Sequence, residues 1–200
     1  MNAPRRIGST NSKTRALILD TAEQLMIEHG YAAVTSRSVA ARADIPPGLV
    51  HYYFPTIDDL FVAVYTRGAD KNLELIAGAL ASPEPLLSLW RLISDRRGVA
   101  LFMELMAAAN HREALHQEVA KLSEAWSRMQ VEALRVLLPQ YGIDVDVFTP
   151  TLTVAALQGV ALVVARQDAL GLTTNHEAAA DAVEALLEDL ERRRRLARGA

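Results

Sequence analysis

The stretch that decides the fold is RADIPPGLVHYYFPTIDDL, which runs from Arg42 to Leu60. Two prolines and a glycine separate an alanine-rich segment from three aromatic rings and a histidine. Ile45 precedes a proline and is therefore pushed towards extended backbone, whereas Pro47 suits the first turn of a helix, where its missing N–H costs nothing. The pattern predicts that one helix ends before Asp44, that the chain turns there, and that a short helix starts at Pro47.

The segments on both sides of this turn have helical spacing. Helices are predicted over 12–29, 35–43 and 47–53. Gly30 supplies a C-terminal stop for the first helix, and Thr35 is placed to cap the second. Two short helices that are joined by a tight turn and packed on a longer one form a helix-turn-helix unit, in which the second helix of the pair enters the major groove of DNA.

The rest of the chain lacks the alternation that is typical of strands. Further helices are predicted over 56–81, 84–95, 97–110, 112–138, 147–168 and 176–196. Thr56 and Asp59 form a capping-box pattern at the start of the first of these. We therefore predict an all-α fold in which an N-terminal arm and a three-helix helix-turn-helix domain occupy residues 1–55, and a larger helical bundle occupies residues 56–200.

Composition narrows the class of protein. The chain has 200 residues, of which half are apolar, so a full core can be built. It has no cysteine, which excludes disulfides, thiolate metal sites and cysteine nucleophiles. The first residues lack the apolar run of a signal peptide, and the most apolar run, 151–165, is interrupted by Gln158 and Gly159. This run is shorter than the roughly 20 residues that span a bilayer, so we expect a cytoplasmic protein with no membrane partner.

Charge is distributed unevenly along the chain. The net charge is −3, yet residues 1–55 carry six basic and four acidic side chains, whereas the remainder carries 15 basic and 20 acidic ones. The first fifteen residues contain four bases and no acid. A basic head on an acidic body favours an anionic partner for the head.

Several short motifs in the first sixty residues occur together in one known family. They are Ile18-Leu-Asp-Thr-Ala22, Leu25-Met26, His29-Gly-Tyr31, Thr35-Ser-Arg-Ser-Val-Ala40, Ala43-Asp-Ile45, Pro47-Gly48, Tyr53-Phe-Pro55 and Asp59-Leu60. With these motifs the chain resembles the TetR family of transcriptional repressors. The resemblance covers about a third of the chain and is specific only when the motifs are taken together.

The resemblance implies a DNA-binding head, followed by a domain that binds a small molecule and dimerises. A homodimer would then repress transcription at a palindromic operator in double-stranded DNA, and a small-molecule effector, largely apolar, would release it. The DNA contacts that we predict are Lys13, Thr35, Ser36, Arg37, Pro46, Pro47, Gly48, Leu49, His51 and Tyr52. Leu49 is suited to contact a thymine methyl group.

The sequence departs from the family pattern at three positions. Asp44 replaces the usual glycine of the turn, Pro46 replaces a capping serine or threonine, and Ile57 stands where many members have a lysine. Each departure weakens generic affinity for the DNA backbone. The four bases of the first fifteen residues compensate if they neutralise phosphates, because each neutralised phosphate releases counterions.

Two sets of residues in the second domain are assigned a role, the ligand contacts from the resemblance and the dimer interface from two stripes of apolar and small residues at helical spacing on the last two helices. The predicted ligand contacts are Trp90, Phe102, Met103, Met106, Asn110, Trp126, Met129 and Arg166. The predicted dimer interface is Leu152, Ala155, Ala156, Gly159, Val163, Val183, Leu186, Leu187 and Leu190. Both sets have an alternative explanation, which is packing within one chain. The predicted interface residues lie on the last two predicted helices. If these two helices pack against the same two helices of a second subunit, they form an isologous four-helix bundle.

The sequence also bears on two other classes of function, an enzyme and a carrier of small molecules. The chain offers no nucleophile elbow, no phosphate loop and no catalytic pair of carboxylates, and His111 and His116 are spaced too poorly to share a metal ion on one helix face. We therefore expect no enzyme, no cofactor and no metal. The alternative to a regulator is an all-α carrier of small molecules whose DNA-binding head is vestigial, and the three departures favour that alternative.

Overall fold

The computed structural model describes residues 13–172 and 176–199, with the backbone alone at 176–177 and 198–199. Within these ranges the chain is helical and contains no strand, which confirms the predicted fold class. The helices are α1 Lys13–His29, α2 Ser36–Arg42, α3 Pro47–Tyr53, α4 Ile57–Leu80, α5 Pro85–Ile93, α6 Arg96–Ala109, α7 Glu113–Leu137, α8 Pro150–Ala169 and α9 His176–Gly199. Short 3-10 turns lie at Tyr31–Ala33 and Leu138–Tyr141.

The chain divides into two compact units. The first unit contains the described residues up to Asp70 together with Leu101–Lys121, and the second contains Lys71–Ala100 together with the described residues from Leu122 onward. Helices α4, α6 and α7 are therefore each divided between the two units. The functional boundary that the sequence predicts after residue 55 stays a prediction.

The helix-turn-helix part of the first unit is built around one small core. In α1 the buried side chains include Ile18, Ala22 and Met26, which recur at the spacing of one helix face. Val39 of α2 and Val50 of α3 are also buried, and α2 packs on both α1 and α3. Helices α2 and α3 thus each bury one face in this core and expose the opposite face to solvent.

Local signals set the ends of these helices. The Thr35 hydroxyl accepts from the Ser38 N–H at 3.0 Å, and Ser38 Oγ accepts from the Thr35 N–H at 2.9 Å, so α2 begins with the predicted cap. Pro46 precedes α3 and offers no side-chain cap. Asp44 turns the chain with φ 52°, and no other non-glycine residue in the described ranges has positive φ. An aspartate tolerates this left-handed conformation better than most residues do.

Ion pairs fix α4 within the first unit. Arg67 of α4 pairs with Asp20, at 2.8 Å, and with Glu23, both on α1. Arg112, just before α7, pairs with Asp58 and lies over the ring of Phe61, 4.7 Å from its centroid. The Arg67 pairs hold α4 against α1, and the Arg112 contacts hold α4 against the segment that leads into α7.

The second unit has its own core between α5, α7, α8 and α9. Its buried members are Leu86, Leu87, Trp90, Leu134, Leu138, Leu157, Ala161 and Leu187. A buried polar cluster joins this core: Glu191 of α9 accepts hydrogen bonds from the backbone of Leu86, from Tyr141 and from Arg194. Since Leu86 lies in the first turn of α5, the carboxylate of Glu191 caps α5 from another helix.

Candidate functional site

Helix α3 presents most of its side chains to solvent. Pro46, Pro47, Gly48 and His51 are exposed, and Leu49 is half-buried. Tyr52 is 48% exposed and meets Tyr53 edge to face, with ring centroids 5.1 Å apart. The helix is anchored on its other side by the buried Val50 and Phe54. The predicted α3 contacts therefore share one accessible surface, which we call the α3 face.

The start of α2 carries three further predicted DNA contacts. Thr35 and Arg37 are exposed and Ser36 is half-buried. The Thr35 hydroxyl is already used, because it caps α2 and also donates to Ser38 Oγ at 3.1 Å. Arg37 has no hydrogen-bond or ion-pair partner among the described residues, so its exposed guanidinium is available to bind an anion.

The basic residues of the N-terminal segment fall into three groups. Lys13, the first residue of α1, is exposed. Arg15 is half-buried, and its guanidinium lies over the ring of Phe54 at 5.2 Å from the centroid. Arg5 and Arg6, which the sequence assigned to a basic arm, lie outside the described residues.

Two charges near the α2–α3 turn modify its electrostatics. Arg42, at the end of α2, is paired with Glu28 of α1 at 2.7 Å. Asp44 is exposed at the turn itself. The turn therefore presents the Asp44 carboxylate to solvent. The positive charge of the nearby Arg42 does not offset it fully, because Arg42 is already paired with Glu28.

The predicted ligand contacts fall into both units. Phe102, Met103, Met106 and Asn110 belong to the first unit, whereas Trp90, Trp126, Met129 and Arg166 belong to the second. Trp90 is buried in the core of the second unit and also lines a cavity of about 110 Å³. The other residues that line this cavity are Ser94, Arg96, Ala161, Val164, Ala165, Ala180 and Glu184, none of which the sequence assigned to a ligand site.

A larger groove, of about 620 Å³, lies in the first unit. Residues of α1, α4 and α7 line it: Arg15, Asp58, Asp59, Val62, Ala63, Thr66, Arg67, Asp70, Ala114, Gln117 and Glu118. It contains none of the predicted ligand contacts. Its charged lining is mostly occupied within the protein, since Asp58 pairs with Arg112, Arg67 with α1, and Glu118 with Lys121.

The predicted interface residues of α8 form one exposed stripe. Leu152, Ala155, Ala156, Gly159 and Val163 are all exposed. Two further exposed residues, Arg166 and Leu170, continue the stripe at intervals of three and four. Arg166, which the sequence assigned to ligand binding, thus lies on the same stripe as the predicted dimer contacts. The helical period that revealed the stripe would also have revealed its extension.

The predicted interface residues of α9 mostly face the core of the second unit, unlike those of α8, which face solvent. Leu187 is 5% exposed and belongs to the core of its own unit, and Val183 and Leu190 pack against that core. Leu186, at 58% exposure, is the member of the predicted set that faces solvent. Among the described side chains of α9, the exposed alanines are Ala178, Ala179, Ala182, Ala185 and Ala197. Amphipathic spacing shows which side chains share a helix face, but it does not show whether the chain itself covers that face.

The described residues form neither a candidate metal centre nor a membrane-spanning helix. In those ranges no group of three or more His, Cys, Asp or Glu side chains is placed to hold a metal ion. No helix in the described part of the chain is long and apolar enough to cross a membrane.

Comparison with known proteins supplies the family. Residues 18–64 match the model for bacterial regulatory proteins of the tetR family. The chain is 27% identical over 194 residues to the HTH-type transcriptional regulator TcmR of Streptomyces glaucescens, covering 89% of this chain and 83% of TcmR.

Two solved structures are similar over nearly their whole length. The multidrug binding protein EbrR, complexed with imidazole, is 30% identical with a TM-score of 0.58, and the match covers 90% of this chain and 96% of EbrR. A member of the TetR family from Streptomyces coelicolor A3 is 31% identical with a TM-score of 0.61, and the match covers 90% and 98% of the two chains. The exposed α3 face, the capped α2 and these whole-length similarities lead to one conclusion: the chain belongs to the TetR family of transcriptional regulators.

Proposed function

We propose that this regulator is a homodimeric repressor that binds a palindromic operator and is released by a small, largely apolar effector. The observation that carries the proposal is the α3 face, on which His51 and Tyr52 are exposed while Val50 and Phe54 hold the helix in the core. A short helix that presents aromatic and polar side chains from a rigid support can enter a major groove. Residues 1–55 would form the DNA-binding domain and residues 56–200 the domain for effector binding and dimerisation.

The proposed contacts differ in what they contribute. Lys13 and Arg37 are exposed cations, which would bind phosphates and give a salt-dependent affinity. Leu49 and Tyr52 lie on the α3 face and would contact base edges or the sugar-phosphate backbone. In a symmetric dimer two such helices would enter successive major grooves, about 34 Å apart.

Selection of genomic DNA fragments by the purified protein, at two salt concentrations, tests the DNA-binding part. We expect one palindromic motif for the unchanged protein and its loss when His51 and Tyr52 are both replaced by alanine. His111→Ala is the matched control, because His111 is an exposed histidine of the first unit outside α1–α3. Weak, sequence-independent binding that disappears at the higher salt would refute the repressor and favour a carrier with a vestigial head.

The dimer part of the proposal rests on the exposed stripe of α8. Gly159 and the alanines beside it permit close approach of a second helix, and Leu152 and Val163 supply apolar area. Leu186, with the exposed alanines of α9, adds a second apolar strip. Contiguous exposed apolar patches are typical of protein–protein interfaces.

A charge placed in this stripe should separate the subunits. We expect Val163→Glu to be monomeric by sedimentation and Val136→Glu to remain dimeric, since Val136 is an exposed valine of α7 outside the stripe. A dimer of unchanged stability in Val163→Glu would exclude the α8 stripe as the interface.

Effector binding is supported by the relatives. EbrR has been solved with imidazole and with ethidium. In this chain Phe102, Met103 and Met106 bring apolar, adaptable side chains to α6. An effector releases DNA only if it binds the released geometry more tightly than the DNA-bound geometry.

The two tryptophans provide a test for the effector. Trp126 is half-buried, so a ligand that reaches it would change its fluorescence. A ligand in the 110 Å³ cavity would instead change the fluorescence of Trp90, which lines that cavity. We expect apolar aromatic compounds to quench the fluorescence of Trp126 and to release operator DNA, and Trp126→Phe to abolish the signal. If quenching occurs without release of DNA, the bound compound is not an effector.

A further inference from the structure

A carboxylate of α6 reaches the backbone that leads into the helix-turn-helix. The Tyr31 N–H donates to Glu104 Oε2 at 2.7 Å, across a separation of 73 residues within the first unit. The bond is partly buried. A hydrogen bond to an ionised carboxylate is shorter and stronger than one between neutral groups, so this contact is a firm link between α6 and the chain after α1.

The local backbone depends on this link. Tyr31 is the first residue of the 3-10 turn Tyr31–Ala33, and Gly30, which precedes it, gives the turn no side-chain cap. The first N–H groups of a helical turn have no partner within it, and Glu104 supplies one. Gly30 has φ 79°, and a Cβ added there would lie 3.4 Å from Glu104 Oε2. Glycine therefore allows the positive φ that the turn requires, and the Glu104 carboxylate lies directly against this residue.

The link continues from this turn to the start of α2. Ser38 Oγ donates to the carbonyl of Ala33, the last residue of the turn, at 2.8 Å. The same serine forms the reciprocal cap with Thr35 at the first turn of α2. Two side-chain hydrogen bonds, one at each end of a three-residue turn, thus connect Glu104 to the first turn of α2.

We propose that Glu104 is a positioning residue for DNA binding, although it lies on α6, outside α1–α3. By capping the 3-10 turn it holds the start of α2, and with it the α2–α3 pair, in the orientation that fits DNA. The inference rests on the proposed function. Without the carboxylate the turn is free to adopt other conformations, and the apparent affinity for DNA falls in proportion to the fraction of molecules that keep the competent one.

Three variants at Glu104 test this role in the full-length protein. Glu104→Ala removes the acceptor, Glu104→Asp shortens the side chain by one methylene, and Glu104→Gln keeps an acceptor at the same reach but removes the charge. Glu118→Ala is the matched control, because it removes the same charge from the first unit at a residue whose partner is the exposed Lys121. The DNA is the operator that the unchanged protein selects, compared with a scrambled duplex of equal length.

We expect Glu104→Ala and Glu104→Asp to bind the operator about tenfold more weakly, which corresponds to about 1.4 kcal/mol. Binding to the scrambled duplex should change little, because it depends on charge and not on orientation. Glu104→Gln should recover most of the loss, and Glu118→Ala should match the unchanged protein. A structural defect alone would lower thermal stability and binding to both duplexes together.

Hydrogen exchange of the Tyr31 amide separates this inference from the proposed function. We expect that amide to exchange faster in Glu104→Ala and Glu104→Asp without any DNA present. Faster exchange together with unchanged operator affinity would overturn the positioning role. If the unchanged protein selects no operator at all, the proposed function fails instead, and the positioning role fails with it. If Glu104→Ala does not fold, Glu104→Asp decides, and full operator affinity in that variant overturns the proposal.

Discussion

Replacing Glu191 by alanine should cost the second unit much of its stability. Glu191 is fully buried, and its carboxylate accepts from the Leu86 N–H at 2.9 Å, from the Tyr141 hydroxyl at 2.8 Å and from Arg194 Nε at 3.1 Å. Arg194 is itself buried and also donates to the carbonyl of Pro83. Alanine would leave a buried guanidinium without its counter-ion and a helix N-terminus without its cap.

The size of the loss follows from these partners. Removing one member of a buried ion pair typically costs about 3–5 kcal/mol, because the other charge stays buried and unpaired. Unfolding free energies of whole proteins are about 5–15 kcal/mol, so the loss is a large fraction. At roughly 2–4 °C for each kcal/mol in a chain of this size, we expect the Tm of Glu191→Ala to fall by roughly 6–20 °C.

Thermal and urea unfolding, followed by circular dichroism, measure this loss. Glu188→Ala is the control, since Glu188 is an exposed residue of the same helix, 3.8 Å from Arg91, and exposed pairs contribute at most about 1 kcal/mol. Replacing Glu191 and Arg194 together by leucine should recover part of the loss, because no buried charge then remains. A loss below about 1 kcal/mol in Glu191→Ala would refute the reasoning.

Three other outcomes are expected. Burial and the hydrogen bond to Glu191 raise the pKa of Tyr141 in the folded protein. As the pH rises, the tyrosine therefore ionises first in the unfolded chain, and the free energy of unfolding should decrease above about pH 10. The urea midpoint of Tyr141→Phe, which lacks this hydroxyl, should decrease less over the same pH range. Asp44→Asn keeps the left-handed turn and removes a negative charge, so operator affinity measured by fluorescence anisotropy should rise by about twofold to fivefold at low salt and less at high salt. Lys13→Ala should reduce the slope of log affinity against log salt by about 1, equally for operator and scrambled DNA, and an unchanged slope would remove Lys13 from the DNA contacts.

The bounds of the helices in the helix-turn-helix could be predicted from the sequence because they depend on short-range signals. The cap at Thr35, the proline at the start of α3 and the left-handed Asp44 all act within four residues. The end of α2 and the bounds of α3 therefore followed from the sequence with an error of at most one residue. The same holds for α4, whose capping box at Thr56 and Asp59 is present, with the Thr56 N–H donating to the carboxylate at 2.9 Å.

The apolar faces of the later helices were predictable in part. The period of 3.6 residues identified the stripe of α8, whose members from Leu152 to Val163 are exposed. On α9 the same reasoning selected Leu187, which is buried in the core of its own chain. A period shows which side chains share a face, but only the packing of the other helices decides whether that face is covered.

The sequence by itself determined the helices, the helix-turn-helix and the family, because caps, turns and periodicity are local properties of the chain. Only the tertiary structure decided that Glu191 caps α5, 105 residues away, and that Glu104 holds the backbone of Tyr31, 73 residues away. A carboxylate on a helix surface looks the same in sequence whether it faces water or another segment. Its partner is selected by the folding of distant segments against each other, which is why these two acidic residues became visible only in three dimensions.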